Sequence, residues 1–302
     1  MSKQFFNLSL IALLVLAFFI LYFIPTSSFS ENNISSHSSL NNISSIDGNI
    51  TIYLLSTVIE KDIEKVSSIL DIASKIPDVK NTPYSNFLNE SLKIYNGIPE
   101  DQDLEKRQIF KNILSKYRDI SAITLLIPNG DVYAEEPFAL QENLTNSNFA
   151  FRDYFKGANN SKNMFMGDLI KSAATGLPIT VLAVPIYSDD DKNQNNLTGM
   201  LLGIFDFTYL NKFLQSLDIP ESEKILLLDH LGNIIADSSG TNEGNQSAVF
   251  SKLQSFQNAI LGGSGSTIEN VNHTKMIISY YPIKSVQNTW AILWMKSYED
   301  MK

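Results

Sequence analysis

The sequence predicts an α+β fold: a long N-terminal helix, then two related antiparallel-sheet modules, the whole preceded by one hydrophobic segment. Three observations carry this expectation. An apolar stripe at helical spacing runs from Ile52 to Ile76. A strand–turn–strand pattern, ITLLIPNGDVYAE, occupies Ile123 to Glu135. The same pattern returns as ILLLDHLGNIIAD from Ile225 to Asp237.

The bulk numbers agree with a folded chain of this size. Of 302 residues, 44% are hydrophobic and 18% charged, enough to bury a core in one large domain or two small ones. The net charge is −9, and no run of lysines or arginines offers the basic patch that nucleic acid requires. No nucleic-acid partner is therefore expected. The absence of cysteine removes thiolate nucleophiles, sulfur-based zinc sites and disulfides. The three histidines, His37, His230 and His273, stand too far apart for a sequence-local metal motif. No cofactor and no metal are expected.

From Phe5 to Ile24 the chain reads FFNLSLIALLVLAFFILYFI, without a charge. Twenty helical residues span roughly 30 Å, the thickness of a bilayer core. This length favours a retained anchor over a cleaved signal. Lys3 precedes the segment and the next basic residue is Lys61, so residues 1–4 are expected in the cytoplasm and the bulk of the chain outside. No second hydrophobic run follows, and the chain is expected to lack its own output domain. Nine N-x-S/T triplets, headed by Asn33, Asn42, Asn49, Asn89, Asn143, Asn159, Asn196, Asn245 and Asn272, are glycosylation acceptors on an exported chain. A compositional bias toward Asn and Ser explains them equally well.

Residues 25–48 are rich in Ser and Asn and read as a flexible linker. The stripe that follows (Ile52, Leu55, Ile59, Ile63, Val66, Leu70, Ala73, Ile76) covers about seven turns and ends at Pro77. It predicts a helix laid along its own domain rather than a coiled-coil seam. A second helix is predicted over Asp101–Tyr117, with Leu104, Ile109, Ile113 and Leu114 inward. Past Ile120 the period changes to strands, and Asn129-Gly130 marks a hairpin turn.

In the two copies of the repeat, Gly130 corresponds to Gly232, Ala134 to Ala236 and Glu135 to Asp237. A second echo pairs VLAVPIY (Val181 to Tyr187) with IISYYPIK (Ile277 to Lys284). The glycines are expected at positive-φ turn positions and the prolines at strand ends. A boundary is expected near Leu217–Glu223, giving a first module with the long helix over 49–217 and a second over 218–302. The acidic insertion Asp189–Asp191 reads as a solvated loop rather than a calcium site. Gly262–Ser266 lacks the Lys-Ser/Thr of a phosphate loop.

FAFRDYF (Phe149 to Phe155), Asp168, SAATGLPI from Ser172, AVPIY from Ala183 and GMLLGIFDFTYLNKFL from Gly199 follow one another in an order that resembles the membrane-distal module of double Cache sensor domains. The resemblance covers roughly Asn49 to Lys296 and implies two PAS-like modules of an extracytoplasmic sensor. Arg152 offers a planar fork for an anion, Tyr154 and Phe155 offer aromatic walls, and Asp206 in an apolar strand needs a cationic partner. In amino-acid-binding members, the Arg of an Arg-x-Trp-Tyr motif holds the ligand carboxylate and a later Asp its amino group. Arg152 and Asp206 match; Tyr154 stands for the Trp, Phe155 for the Tyr, and the upstream Tyr is absent. Arg152, Tyr154, Phe155, Asp168 and Asp206 are thus the expected ligand-binding residues, with a structural pairing of Arg152 with Asp168 or Asp206 as the competing reading.

The expected function is a membrane-anchored sensor module binding a small molecule (an amino acid, amine or carboxylate) and signalling through a partner membrane protein or a homodimer. The alternative is a structural or adhesive surface glycoprotein with a degenerate pocket. No catalytic motif points to an enzyme.

Overall fold

The computed structural model describes residues 39–188, 196–240 and 247–298. The hydrophobic segment at 5–24, the Asp189–Asp191 insertion and the triplets at Asn33 and Asn245 lie outside these residues. Among the described residues no helix is long and apolar enough to cross a membrane.

The first helix, α1 (Ser39–Ser74), buries Ile52, Leu55, Ile63, Val66, Leu70 and Ala73, the stripe read from the sequence. It begins inside the stretch expected as a linker. Ser and Asn are weak helix formers, but adding residues to an existing helix costs far less than nucleating one. Its solvent face carries the pairs Lys61–Glu64, Lys65–Asp62 and Lys75–Asp71, each worth little in water. Pro77 opens the short α2 (Pro77–Lys80), since proline suits a first helical turn. After α3 (Leu88–Tyr95) comes α4 (Leu104–Lys116), which buries Phe110 and Ile113. Leu104, expected inward, is 58% exposed because it stands at the first helical position, beside the αL residue Asp103.

The first sheet is built from β1 (Ile120–Leu126), β2 (Val132–Glu136), β3 (Phe165–Met166), β4 (Ile170–Lys171), β5 (Pro178–Tyr187) and β6 (Leu197–Asp206). Its order is β2-β1-β6-β5-β3, with β4 paired to β5, and the pairings are antiparallel. Strand alternation separates its two faces. Ile123, Leu125, Leu182, Val184, Leu201 and Phe205 meet α1. Val181, Ala183, Met200 and Leu202 meet Tyr154, Phe155 and Ala158 of α6 (Asp153–Ser161); α5 (Phe138–Glu142) lies in the preceding connection. Helix and sheet approach closely at Gly203, where a Cβ would collide with Leu70 Cδ1. On the α1 side, Arg107 is buried and donates to Glu136 Oε1 at 2.8 Å and to the carbonyls of Glu135 and Ile98.

After α7 (Thr208–Gln215), β7 (Glu223–Leu228) and β8 (Ile234–Asp237) open the second sheet. The helices α8 (Ser247–Phe250) and α9 (Gln254–Ile260) come next, then β9 (Gly265–Val271), β10 (Thr274–Ser285) and β11 (Asn288–Ser297). The order β8-β7-β11-β10-β9 repeats that of the first sheet, strand for strand. The repeated hairpins share fine geometry. Each carries an irregularity at the matching place, Leu125/Leu126 and Leu227/Leu228. Gly130 and Gly232 adopt φ of 90° and 86°, the left-handed region that glycine enters without strain.

The prolines do not close their strands. Pro185 pairs with Met200 inside β5, and Pro282 with Ala291 inside β10. Each lies two residues past the last one paired to the outer neighbour strand, Ala183 with Phe165 of β3 and Tyr280 with Gly265 of β9, where no ladder bond is lost to the missing N–H.

From Ile43 onward the chain forms one compact unit. Ile225, Leu227, Ile283, Trp290 and Ile292 of the second sheet share a continuous core with α1 and the first sheet. Tyr53 packs on Tyr281 at 5.3 Å and Phe207 on Trp290 at 6.0 Å. Gln287, in the β10–β11 turn, accepts from Met166 N at 2.9 Å and donates to Met166 O at 2.7 Å, extending the pairing of β3.

Candidate functional site

Between the first sheet and the layer of α6 lies a cavity of about 230 Å³. That is room for several waters or a metabolite of modest size. Its floor consists of alternate residues of four strands: Ala122 and Thr124 on β1, Glu135 on β2, Ile179 and Val181 on β5, Leu202, Ile204 and Asp206 on β6. Its walls include Phe149, Arg152 and Tyr154, with Lys171 and Ser172 at the rim.

The FRDYF segment builds the wall. Arg152 has extended backbone (φ −69°, ψ 149°) immediately before α6, which frees its side chain from the helix surface. Tyr154, Phe155 and Ala158 form the buried face of that helix. Asp153 accepts the N–H of Asp168 at 2.7 Å, fastening the helix start to the loop after β3.

The cavity brings together Arg152, Tyr154 and Asp206; Phe155 and Asp168 do not line it. Phe155 is buried in the core beside it. Asp168 is 42% exposed and faces His230 of the β7–β8 turn at 3.5 Å. Partial burial, with Asp153 nearby, pushes its carboxyl upward.

The Arg152 side chain forms no ion pair or hydrogen bond among the described residues, so it is paired with neither Asp168 nor Asp206. Its guanidinium lies 5.0 Å over the ring of Phe151, and its Nε is buried without a partner. Burial raises the Tyr154 hydroxyl pKa, and the Arg152 charge opposes the shift. No hydrogen bond reaches that hydroxyl among the described residues.

Asp206 has no cationic partner among the described residues. It stands at the end of β6, half-buried, and its Oδ1 accepts from Thr208 N at 2.8 Å and Thr208 Oγ1 at 2.5 Å in the first turn of α7. Helix-start donors thus satisfy the charge expected to need a cation.

Sequence reasoning passed over Glu135. Its side chain is buried, and Oε2 accepts from Thr124 Oγ1 at 2.8 Å. Burial raises its carboxyl to about 7, because desolvation disfavours the charged form. The available signal was Glu135-Glu136: two acids in succession in a strand must face opposite ways, and Arg107 accounts for only one of them. Among the described residues no cluster of three or more His, Asp or Glu is placed to hold a metal ion.

The family model described as Cache domain (dCache_1) matches residues 35–302. Among solved structures, the chain is similar to the ligand-binding domain of Mlp24 with asparagine, at 14% identity and a TM-score of 0.58, covering 87% of this chain and 97% of that one. It is also similar to the ligand-binding domain of the Campylobacter jejuni chemoreceptor Tlp3 in complex with 4-methylisoleucine (14% identity, TM-score 0.57, 89% and 98% covered). A third likeness is to an extracellular ligand binding receptor from Desulfohalobium retbaense (10% identity, TM-score 0.50, 78% of this chain and 39% of that one). At such identities the likeness is one of fold. No curated protein matches the chain in sequence. The family match spans both sheets and the helix that joins them, and the chain belongs to the double Cache family of sensor domains.

Proposed function

We propose that this chain is a membrane-anchored extracytoplasmic sensor module that binds a small molecule in the cavity of its first sheet. The observation that carries the reading is Arg152, whose buried Nε lacks a partner beside the cavity. A buried donor without an acceptor costs about 1–3 kcal/mol, which a bound carboxylate or other anion recovers through paired, charge-assisted bonds. Tyr154 supplies a hydroxyl and Asp206 an acceptor for the ligand's amino group. Mlp24 with asparagine and Tlp3 with 4-methylisoleucine support an amino acid or a close relative as the ligand class. Phe155 and Asp168 are left out because they face elsewhere.

Asp206 also joins the site to the rest of the molecule. It holds the start of α7, the helix that leads into the second sheet, so a ligand amine donating to Asp206 competes with the donors of that helix for the carboxylate. The anchoring rests on the uncharged stretch at 5–24. The exposed triplets at Asn49, Asn89, Asn143, Asn196 and Asn272 fit a glycosylated outer face. Output passes to a partner membrane protein or a second copy of the chain.

A thermal-shift screen of amino acids, amines and carboxylates tests the reading, with Arg152→Ala in parallel. A ligand at 100 times its Kd adds about 2.7 kcal/mol. One chemical class is expected to stabilise the wild type and leave the variant unmoved. Equal shifts in both proteins remove Arg152 from the site, and no shift from any class removes the sensor reading.

A further inference from the structure

The two modules place an acid at the same point of the same fold, and treat it differently. Glu135 pairs with Thr124 across β1–β2, and Asp237 with Leu226 across β7–β8. Asp237 is held by its neighbour Ser239: its Oδ1 accepts from Ser239 N at 2.8 Å, and both carboxyl oxygens lie 2.8 Å from Ser239 Oγ. The sheet face beside it is filled by Phe250, Leu253 and Phe256. In the first module Leu226 is replaced by Thr124, the space is open, and Glu135 accepts one neutral hydrogen bond through Oε2. Among the described residues nothing bonds to its Oε1. That oxygen opens onto the cavity, where a ligand donor can reach it.

The second acid of the cavity lies far from it. In the register, Glu135 faces Thr124, Thr124 faces Leu202, and Asp206 lies farther along β6. Two strand spacings and four residues put the two Cα atoms about 16 Å apart. One ammonium cannot serve both acids; a long ligand with positive groups at both ends can, if the two side chains lean toward it. Arg152, projecting from the opposite wall, supplies the counterpart for a carboxylate.

We propose that Glu135 is a specificity-determining ligand contact that recognises a side-chain cation, so that the cavity selects a basic amino acid. The inference rests on the sensor reading above and deepens it. The hydroxyl and charged groups that line the cavity with Glu135 include Thr124, Arg152, Tyr154 and Lys171, with Asp206 at its far end. Of these the cations oppose a free ammonium, so the ligand's own carboxylate must neutralise Arg152 as its side chain engages Glu135. A cation beside Glu135 favours the charged carboxylate, so binding displaces a proton and strengthens as pH rises through 7.

Isothermal titration of the purified full-length chain with L-lysine, L-arginine, L-asparagine and L-isoleucine tests this, using wild type, Glu135→Gln and Arg152→Ala. The basic amino acids are expected to bind at least tenfold tighter than the neutral ones. Their affinity should rise roughly tenfold from pH 6 to pH 8, as ionised Glu135 accumulates. Glu135→Gln should abolish both the preference and the pH dependence, and its far-ultraviolet circular dichroism spectrum checks its fold. Neutral amino acids that match lysine in the wild type, or lysine binding unchanged in Glu135→Gln, overturn the Glu135 assignment. If binding is then still lost in Arg152→Ala, the sensor reading stands without it. If no amino acid binds any of the three proteins, this inference fails together with the amino-acid class. Should Glu135→Gln not fold, wild-type selectivity and its pH profile decide alone.

Discussion

Glu135 is a carboxyl whose proton the folded chain holds more tightly than the unfolded chain does, and stability should record that. Its folded value of about 7 stands above the ordinary 4.5. Between these values the native state binds more protons, so stability falls as pH rises and the full cost is present above 7. The shift corresponds to at most about 3 kcal/mol. Without ligand, Glu135→Gln should therefore gain on the wild type by up to about 3 kcal/mol between pH 5 and pH 8 in urea denaturation. A gap that does not change with pH would show that water already solvates the carboxylate. Arg152 makes a second case. It has no ion pair to lose and a buried donor without a partner, so Arg152→Ala should leave ligand-free stability unchanged or raise it by up to about 1–3 kcal/mol; a loss means that the side chain holds the loop rather than a ligand. Arg152, Tyr154 and Asp206 were legible in sequence because their types stand out in apolar surroundings. Glu135 was not, since its orientation follows from a register broken between Leu125 and Leu126. Phe155 lies outside the cavity although it shares the buried helix face of Tyr154, and Asp168 faces His230 of the other module, a neighbour that sequence does not announce.

At the scale of elements, α1 is tied to the first sheet where β6 has no side chain to keep it off. The Cβ of Gly203→Ala would meet Leu70 Cδ1 inside a filled core. Overpacking of this kind costs about 1–3 kcal/mol. Leu70→Ala alone should cost about 2–5 kcal/mol. Because each change makes room for the other, the double variant should be more stable than the sum of the single costs by at least about 1 kcal/mol. Strict additivity would show that Leu70 already moves aside freely. The stripe of α1 and the repeated hairpin were legible because each is a period, and a period survives without knowledge of neighbours. The helix start at Ser39, the exposure of Leu104 and the interior positions of Pro185 and Pro282 were not. Each depends on where an adjoining element stops: the N-terminus of a helix, or the last paired residue of β3 or β9.

At the scale of the molecule, the two sheets are joined by a core rather than by a linker. Val66 and Leu70 of α1 lie in the same apolar cluster as Leu227, Ile283 and Ile292 of the second sheet. The side chain of Gln287 completes a strand edge of the first sheet. Such an arrangement unfolds as one unit if the shared core outweighs what each module keeps by itself. The chain carries its own reporter, because both tryptophans, Trp290 and Trp294, lie on β11 of the second sheet. Trp290 reads the shared core, where Phe207 packs on it, and Trp294 reads the second sheet, whereas far-ultraviolet circular dichroism reads both modules. Gly203→Ala is a lesion confined to the first module and remote in the chain from either tryptophan. If the shared core couples the modules, this variant should lower the fluorescence and circular-dichroism midpoints in urea by the same amount, with the slope unchanged. A fluorescence curve that stays in place while the dichroism curve broadens toward lower urea would mean that the modules melt separately. A ligand held in the first cavity would then have no thermodynamic hold on the second sheet, and α7 with its Asp206 cap would be left as the path between them.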